Sequence, residues 1–438
     1  MPNLAFIELG SSLVHYFCES SRMLDAEISP VFYSTKTKVR SKLEQLGRHM
    51  FPERKRAISP QPIPQLIFDA VVNGKLRVSI SDSRRQQAQA SYHFTALERL
   101  FQECRIDAIF VWNGSGLAAS IAICLARKHG KKIIFGENGY FPHTIQIDSE
   151  GVNFKSSVTK VVSRRYDKIA MDPDKVLQLK TLISEYKANR VTEYQKPTRQ
   201  VKASVWSHIV NDIQTFNWRR TFRPRNFNNA FSDQPENLPE KYVLLPFQVV
   251  ADSQVILYSP LVGNDMEKFL SCCHSALRKV APDHKLVVKL HPADLRKVNY
   301  NCLKKKYPDV IWVKNCSIKK LLESANAVVT INSTVGLEAL IYYKPIIALG
   351  LNFYNVDGVI RHPENLEQLP EQLHRALTEP VNKDKIDRLL YYLYWHYFTH
   401  GSWKDHSEKS YRAVASKISQ LVIGKHEAEG EKLVVSQR

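Results

Sequence analysis

Ala108-Ile109-Phe110-Val111-Trp112 is a short apolar run that stops at Asn113-Gly114-Ser115-Gly116. An alanine-rich stretch from Leu117 to His129 follows, ends at Gly130 and leads into a second apolar run, Lys132-Ile133-Ile134-Phe135. Short apolar runs bounded by turn residues predict strands, and the alanine-rich stretch between them predicts a helix. Strand, helix and strand in that order form a βαβ unit, which requires a parallel sheet. Upstream, the spacing predicts a helix around Tyr92 to Cys104.

The second half repeats the pattern. Tyr242-Val243-Leu244-Leu245-Pro246, Lys285-Leu286-Val287-Val288-Lys289-Leu290, Val310-Ile311-Trp312-Val313, Ala327-Val328-Val329-Thr330-Ile331 and Pro345-Ile346-Ile347-Ala348-Leu349 all read as strands, with helical segments between most of them. Two doubly wound, Rossmann-like α/β domains are therefore expected. A chain of 438 residues, 44% of them hydrophobic, is long enough for two packed cores of roughly 150 to 200 residues each. The expected boundaries are 1–165 for the first domain, 166–240 for a basic linker or insert, 241–380 for the second domain, and 381–438 for C-terminal helices and a polar tail.

The linker carries the run Trp218-Arg219-Arg220-Thr221-Phe222-Arg223-Pro224-Arg225. A second basic stretch, Lys36 to Arg56, is most simply a solvated face. With 62 Lys and Arg against 43 Asp and Glu, the net charge is +19. Such a surface attracts anions, so nucleic acid, an anionic membrane or acidic small substrates all fit on charge alone. The N-terminus shows no basic segment followed by an apolar core, and a cytoplasmic location is expected. No apolar run approaches the roughly 20 residues that span a bilayer, so any membrane association would be peripheral. The seven cysteines include no C-x-x-C pair and are expected to be reduced and mostly buried, without a zinc site.

Four segments could carry chemistry. Gly136-Glu137-Asn138-Gly139 follows an expected strand, and ligands of open α/β sheets bind at the carboxyl ends of strands. Glu137 is thus placed to meet substrate, although a tight turn with a solvated Glu needs the same glycines. In Pro246-Phe247-Gln248-Val249-Val250-Ala251-Asp252-Ser253-Gln254, Asp252 could be a nucleophile, a base or a helix cap. In Lys289-Leu290-His291-Pro292, a strand delivers a histidine that could hydrogen-bond or neutralise a phosphate, or serve the structure alone. In Asn332-Ser333-Thr334-Val335-Gly336-Leu337-Glu338, small hydroxyl residues open a helix whose N-terminus suits a phosphate, and ordinary capping is the rival account. Glu338, one turn on, could reach a ribose hydroxyl. Asp172-Pro173-Asp174 has the spacing of a metal motif but reads better as a helix cap with proline at the first position. Gly114-Ser115-Gly116 lacks the third glycine of a dinucleotide fingerprint.

Taken in order, Val111-Trp112-Asn113-Gly114, Gly136 to Pro142, Ile147-Asp148 and Gly151-Val152-Asn153 resemble the N-terminal half of the capsule polysaccharide synthesis family. Pro246-Phe247-Gln248, Asp252-Ser253-Gln254, His291-Pro292 and Ser333 to Glu338 resemble its C-terminal half. The resemblance runs from about residue 108 to 350 and leaves out the first hundred residues and the linker. It implies a GT-B fold, two Rossmann-like domains facing a central cleft, and the activity of a retaining β-Kdo transferase that uses CMP-Kdo. It further implies Asp252 as the nucleophile, Glu137 as acid/base near the acceptor, and His291 as a third catalytic group. His291, Ser333 and Thr334 would contact CMP, as similar motifs do in bacterial sialyltransferases. Gln248, Lys289, Pro292, Asn332 and Glu338 would complete the donor site, and Asn113, Gly114, Asn138 and Gly139 the acceptor side.

Neither a metal nor a cofactor is implied beyond the donor itself. The partners expected are a nucleotide-sugar donor and a glycan or lipid-linked acceptor, and no nucleic acid; the run Trp218 to Arg225 would meet an anionic membrane surface or the acceptor, with a solvated surface as the rival account. Two other readings compete: a GT-B transferase or epimerase that uses a UDP-sugar, and a non-catalytic basic adaptor of a capsule assembly complex.

Overall fold

The computed structural model describes residues 1–52, 58–68, 80–188, 231, 238–295 and 297–424. In chain order its strands are β1 (Asn3–Ile7), β2 (Ser29–Tyr33), β3 (Met50–Phe51), β4 (Ile106–Trp112), β5 (Lys132–Asn138), β6 (Thr144–Asp148), β7 (Tyr242–Pro246), β8 (Lys285–Lys289), β9 (Ile311–Val313), β10 (Ala327–Thr330), β11 (Ile346–Ala348) and β12 (Thr399–His400). They form two compact units: Met1–Tyr166 with Tyr392–Arg438, and Asp167–Tyr391.

The first unit is built on a seven-stranded sheet in the order β12-β6-β5-β4-β1-β2-β3. Strands β1 to β5 run parallel, whereas β6 and β12 are antiparallel to their neighbours. Strands buried on both faces need apolar residues at nearly every position, which explains the unbroken runs in the sequence. Ala5, Ile7, Ile109 and Val111 go to one face, beneath the helices Ile80–Glu103 and Leu117–Lys128. Leu4, Phe6, Ala108 and Phe110 go to the other, where Phe6 stacks on Phe32 at 4.8 Å.

Two expectations are corrected here. Gly136, Glu137 and Asn138 do not follow the strand but lie within it, because β6 returns antiparallel and pairs Glu137 with Gln146. The C-terminal segment is also not one piece. The helix Glu408–Ile423 buries Tyr411, Val414, Ile418 and Val422 in the first unit's core beside Phe17, while the segment up to Tyr391 stays with the second unit.

The second unit has a five-stranded, all-parallel sheet in the order β11-β10-β7-β8-β9. The helix Met266–Val280 starts on an Asp265 cap and buries Phe269, Leu270 and Leu277 against it. The expected linker is partly structural. Asp172 caps the helix Pro173–Lys187 through the backbone N–H groups of Asp174 and Lys175, with proline in the first turn, and that helix sinks Leu179 and Tyr186 into the second unit. The runs Trp218 to Arg225 and Arg54-Lys55-Arg56 lie outside the described residues.

Among the described residues no helix is long and apolar enough to cross a membrane. None of the seven cysteines forms a disulfide; Cys18, Cys273 and Cys316 are buried and Cys302 is exposed, so burial is less general than expected.

Candidate functional site

In each sheet the chain winds outward from a central strand and then returns to that strand's other side. The reversal falls between β1 and β4 in the first unit and between β7 and β10 in the second. Loops at the carboxyl ends of such a pair part in opposite directions and leave a crevice.

In the second unit Gln248 follows β7 and Asn332 follows β10. The Gln248 side chain donates to Asn332 Oδ1 at 2.9 Å and accepts from the Asn332 backbone N–H at 3.0 Å. Asn332 Nδ2 donates to the Gln254 carbonyl at 2.9 Å. Both residues are buried, and they brace the two loops at the crevice. Asp252 is exposed at the tip of the β7 loop, where its carboxylate accepts from Gln254 N–H at 2.9 Å and caps the helix Ser253–Tyr258.

Buried Asp294 joins the neighbouring loop to this one. Its backbone N–H donates to the His291 carbonyl and its carboxylate accepts from Val250 N–H, both at 3.0 Å. His291 is half-buried, and its Nδ1 accepts from Ala293 N–H at 3.1 Å. A neutral imidazole so held carries its proton on Nε2 and offers a donor there. Burial lowers the His291 pKa below the usual histidine value, while Asp294 and Asp252 act to raise it and Lys289 and Lys297 to lower it. Lys289 turns away, its ammonium donating to the carbonyls of Leu290 at 3.0 Å and Lys314 at 2.8 Å, and burial lowers its pKa. Pro292 is exposed.

Ser333 caps the helix Thr334–Ile341 by accepting from Val335 N–H at 3.2 Å. Tyr354 donates to the Ser333 carbonyl and fills the space above Gly336, where a Cβ would fall 2.5 Å from the Tyr354 hydroxyl. This contact sets the helix's first turn, and Ser333 and Thr334 stay half-exposed at its start. Glu338 accepts from the Tyr186 hydroxyl at 2.8 Å. Lys319 lies 3.7 Å over the Tyr186 ring, so the helix Pro173–Lys187 steadies the Glu338 carboxylate.

In the first unit, Asn113 and Gly114 end β4 with φ of 47° and 74°. The Asn113 carboxamide oxygen accepts from Ser115 N–H at 2.9 Å and from its hydroxyl at 2.6 Å, which spends it on the turn. Glu137 accepts through Oε1 from Asn138 N–H at 2.8 Å and from Asn138 Nδ2 at 3.0 Å. Gly139 has no room for a side chain, since a Cβ would meet Thr144 Oγ1 at 2.1 Å. Beneath this edge, buried Asp148 accepts from Ser157 Oγ at 2.7 Å and from the Tyr397 hydroxyl at 3.3 Å, and burial with that carboxylate holds the Tyr397 pKa well above the usual phenol value.

The structure thus gathers Gln248, Asp252, His291, Asn332, Ser333 and Thr334 on one sheet edge. Glu137, Asn138 and Gly139 share another with Asn113 and Gly114. Sequence reasoning missed Asp294, Tyr186, Trp403 and Glu8. Asp294 had a signal, three residues beyond His291. Tyr186 sits in a segment read as linker and Trp403 far down the chain, so neither had one. Glu8 ends β1 with φ of 46°, and its carboxylate accepts from Thr35 N–H at 2.8 Å.

A family model described as capsule polysaccharide biosynthesis protein matches residues 107–398. Protein FixF of Sinorhizobium fredii is 30% identical over 291 residues, which take in 66% of this chain and 59% of that one. The capsule polysaccharide export protein KpsS of Escherichia coli is 25% identical over 272 residues, 53% of this chain and 64% of that one. This chain therefore spans less than two thirds of the length of these two curated relatives. Among solved structures, Thermosulfurimonas dismutans KpsC, beta Kdo 2,4 transferase, aligns over 74% of this chain and 93% of its own with 16% identity and a TM-score of 0.46.

Proposed function

We propose that this chain, which belongs to the capsule polysaccharide biosynthesis protein family, is a glycosyltransferase that moves Kdo from CMP-Kdo to a glycan or lipid-linked acceptor with retention. The observation that carries this reading is the switch-point edge of the second unit, where an exposed carboxylate (Asp252), a neutral imidazole donor (His291) and a hydroxyl-lined helix start (Ser333, Thr334) share one sheet end. CMP-Kdo presents one phosphate and one carboxylate. A helix N-terminus and an imidazole N–H are suited to an anion of that size, and no cofactor beyond the donor enters the reading.

Retention follows from two inversions. An Asp252 oxygen attacks the anomeric carbon of Kdo while the bond from that carbon to the phosphate oxygen breaks, and CMP leaves with the electron pair. An acceptor hydroxyl then gives its proton to Glu137, its oxygen attacks the same carbon, and the Asp252 carboxylate is released. The chemistry would lie in the cytoplasm, with any membrane association peripheral.

Donor screening tests this reading. CMP release from CMP-Kdo on adding acceptor, with no turnover of UDP-sugars, supports it. Turnover of a UDP-sugar in its place would favour the epimerase or UDP-sugar transferase reading, and absence of all turnover the adaptor. His291 supplies a sharper check. His291→Ala is expected to raise the donor KM by about tenfold to a hundredfold, the worth of a hydrogen bond to a charged group. His291→Gln, which can place an amide N–H near the Nε2 position, is expected to recover much of that loss. Because burial lowers the His291 pKa, the imidazole is neutral at pH 7, and a neutral donor is a fair substitute. Equal losses in both variants would show that more than the N–H is used.

A further inference from the structure

Glu137 is held by a residue far away in the chain. The Trp403 indole N–H donates to Asn138 Oδ1 at 2.8 Å. An indole nitrogen can only donate, so whichever end of the Asn138 carboxamide faces it must be the oxygen. The NH2 end is thereby turned to Glu137, to which it donates at 3.0 Å. The orientation of this amide, normally ambiguous between its two ends, is set by chemistry. The Asn138 backbone is fixed as well, because its carbonyl accepts from Gln146 Nε2 at 2.8 Å and Gln146 Oε1 accepts from Asn153 N–H at 3.0 Å.

Trp403 is itself anchored. Its ring packs on the apolar cluster that contains Phe17 and Ile145, and Lys404 lies over it at 5.2 Å. Ser402, buried just before it, donates its N–H to Ser410 Oγ at 2.9 Å, and Ser410 Oγ shares a hydrogen bond with the Tyr16 hydroxyl at 2.8 Å. The turn that carries the indole is therefore pinned to the core by the final helix.

We infer that Trp403 is a positioning residue for the transfer reaction: through the Asn138 carboxamide it fixes the Glu137 carboxylate in the orientation needed to take the acceptor proton. This rests on the reading of Glu137 as acid/base. It also gives the C-terminal segment a part in the chemistry, since the helix Glu408–Ile423 and the turn before it complete the edge that β5 begins.

A double-mutant cycle of Trp403→Phe and Asn138→Ala in the full chain tests the inference, with kcat, donor KM and thermal unfolding measured for each variant. Phenylalanine keeps the ring in the cluster and removes the N–H. Trp403→Phe is expected to lower kcat about tenfold, the upper worth of one neutral hydrogen bond, with kcat/KM for the donor unchanged, because only the second displacement is slowed. Asn138→Ala should lower kcat at least as far, and the double variant should be no slower than Asn138→Ala alone, because Trp403 acts only through that amide. Additive losses, or wild-type kcat in Trp403→Phe, overturn the proposal.

The indole N–H resonance of Trp403 gives a readout that needs no substrate. It is expected to shift in Asn138→Ala and in Glu137→Ala and to stay in place in Asp252→Ser. Should the wild-type chain transfer no sugar at all, the functional reading falls and the resonance still decides the relay. A shift in Glu137→Ala, which removes the acceptor of the Asn138 amide, supports it, and an unmoved signal overturns it.

Discussion

Asp252→Ser is expected to abolish both the Kdo-sized mass gain of the protein on incubation with CMP-Kdo and transfer to acceptor, the latter by about a thousandfold or more, as when an enzymatic nucleophile is removed. Serine is the informative substitution because Asp252 has two roles to separate. Its carboxylate caps the helix Ser253–Tyr258 by accepting from Gln254 N–H. Serine caps a helix about as well as aspartate, whereas alanine forfeits about 1 kcal/mol. Asp252→Ser should therefore melt close to the wild type, and Asp252→Ala should melt lower, with both equally inactive. A serine hydroxyl is not ionised at neutral pH and cannot stand in for the carboxylate. If Asp252→Ser still acquires the sugar and transfers it, the residue is a cap and the nucleophile is another group. Exposure fits the chemical role: the carboxylate stands at the tip of a loop braced from below by Gln248, Asn332 and Asp294.

That scaffold was legible in the sequence to different depths. The run Tyr242 to Pro246 and the segment Ala108 to Phe135 fall where strands and helices form, because buried parallel strands require unbroken apolar runs and turn residues mark their ends. The strand carrying Glu137 could not be bounded in this way. Its extension to Asn138 depends on pairing with β6, and a partner strand is a matter of tertiary structure rather than local pattern. For the same reason β1 and β2 went unread. Asn3–Ile7 and Ser29–Tyr33 are five-residue runs whose strand character is decided by lying beside β4 and each other.

The candidate site divides likewise. Asp252, His291 and the pair Ser333-Thr334 stand at strand ends, which a sequence reveals. Their supports do not, since Tyr186 meets Glu338 across 152 positions and Trp403 meets Asn138 across 265. Gln248 and Asn332 were read as donor contacts, and the structure shows their amides committed to one another, so any contact with donor would be additional to the brace.

Glu137→Gln is expected to give the opposite result to Asp252→Ser: the sugar adduct forms and persists. The two half-reactions ask different things of the protein. In the first, CMP departs as a phosphate that is stable at neutral pH, so no proton need be supplied and Glu137 is dispensable. In the second, an acceptor hydroxyl must lose its proton as it attacks, and a positioned base is worth about a hundredfold to ten-thousandfold there. Glutamine can still accept at Oε1 from Asn138 N–H and Nδ2, so the local structure should hold while the basicity is lost. With CMP-Kdo and acceptor together, Glu137→Gln should release about one CMP per chain in a burst and then stall, and the intact mass should show the adduct remaining. Sustained turnover at the wild-type rate would remove Glu137 from the mechanism. Absence of a burst would move its role to donor binding or to the first displacement, and Trp403, acting through the same carboxylate, would have to move with it.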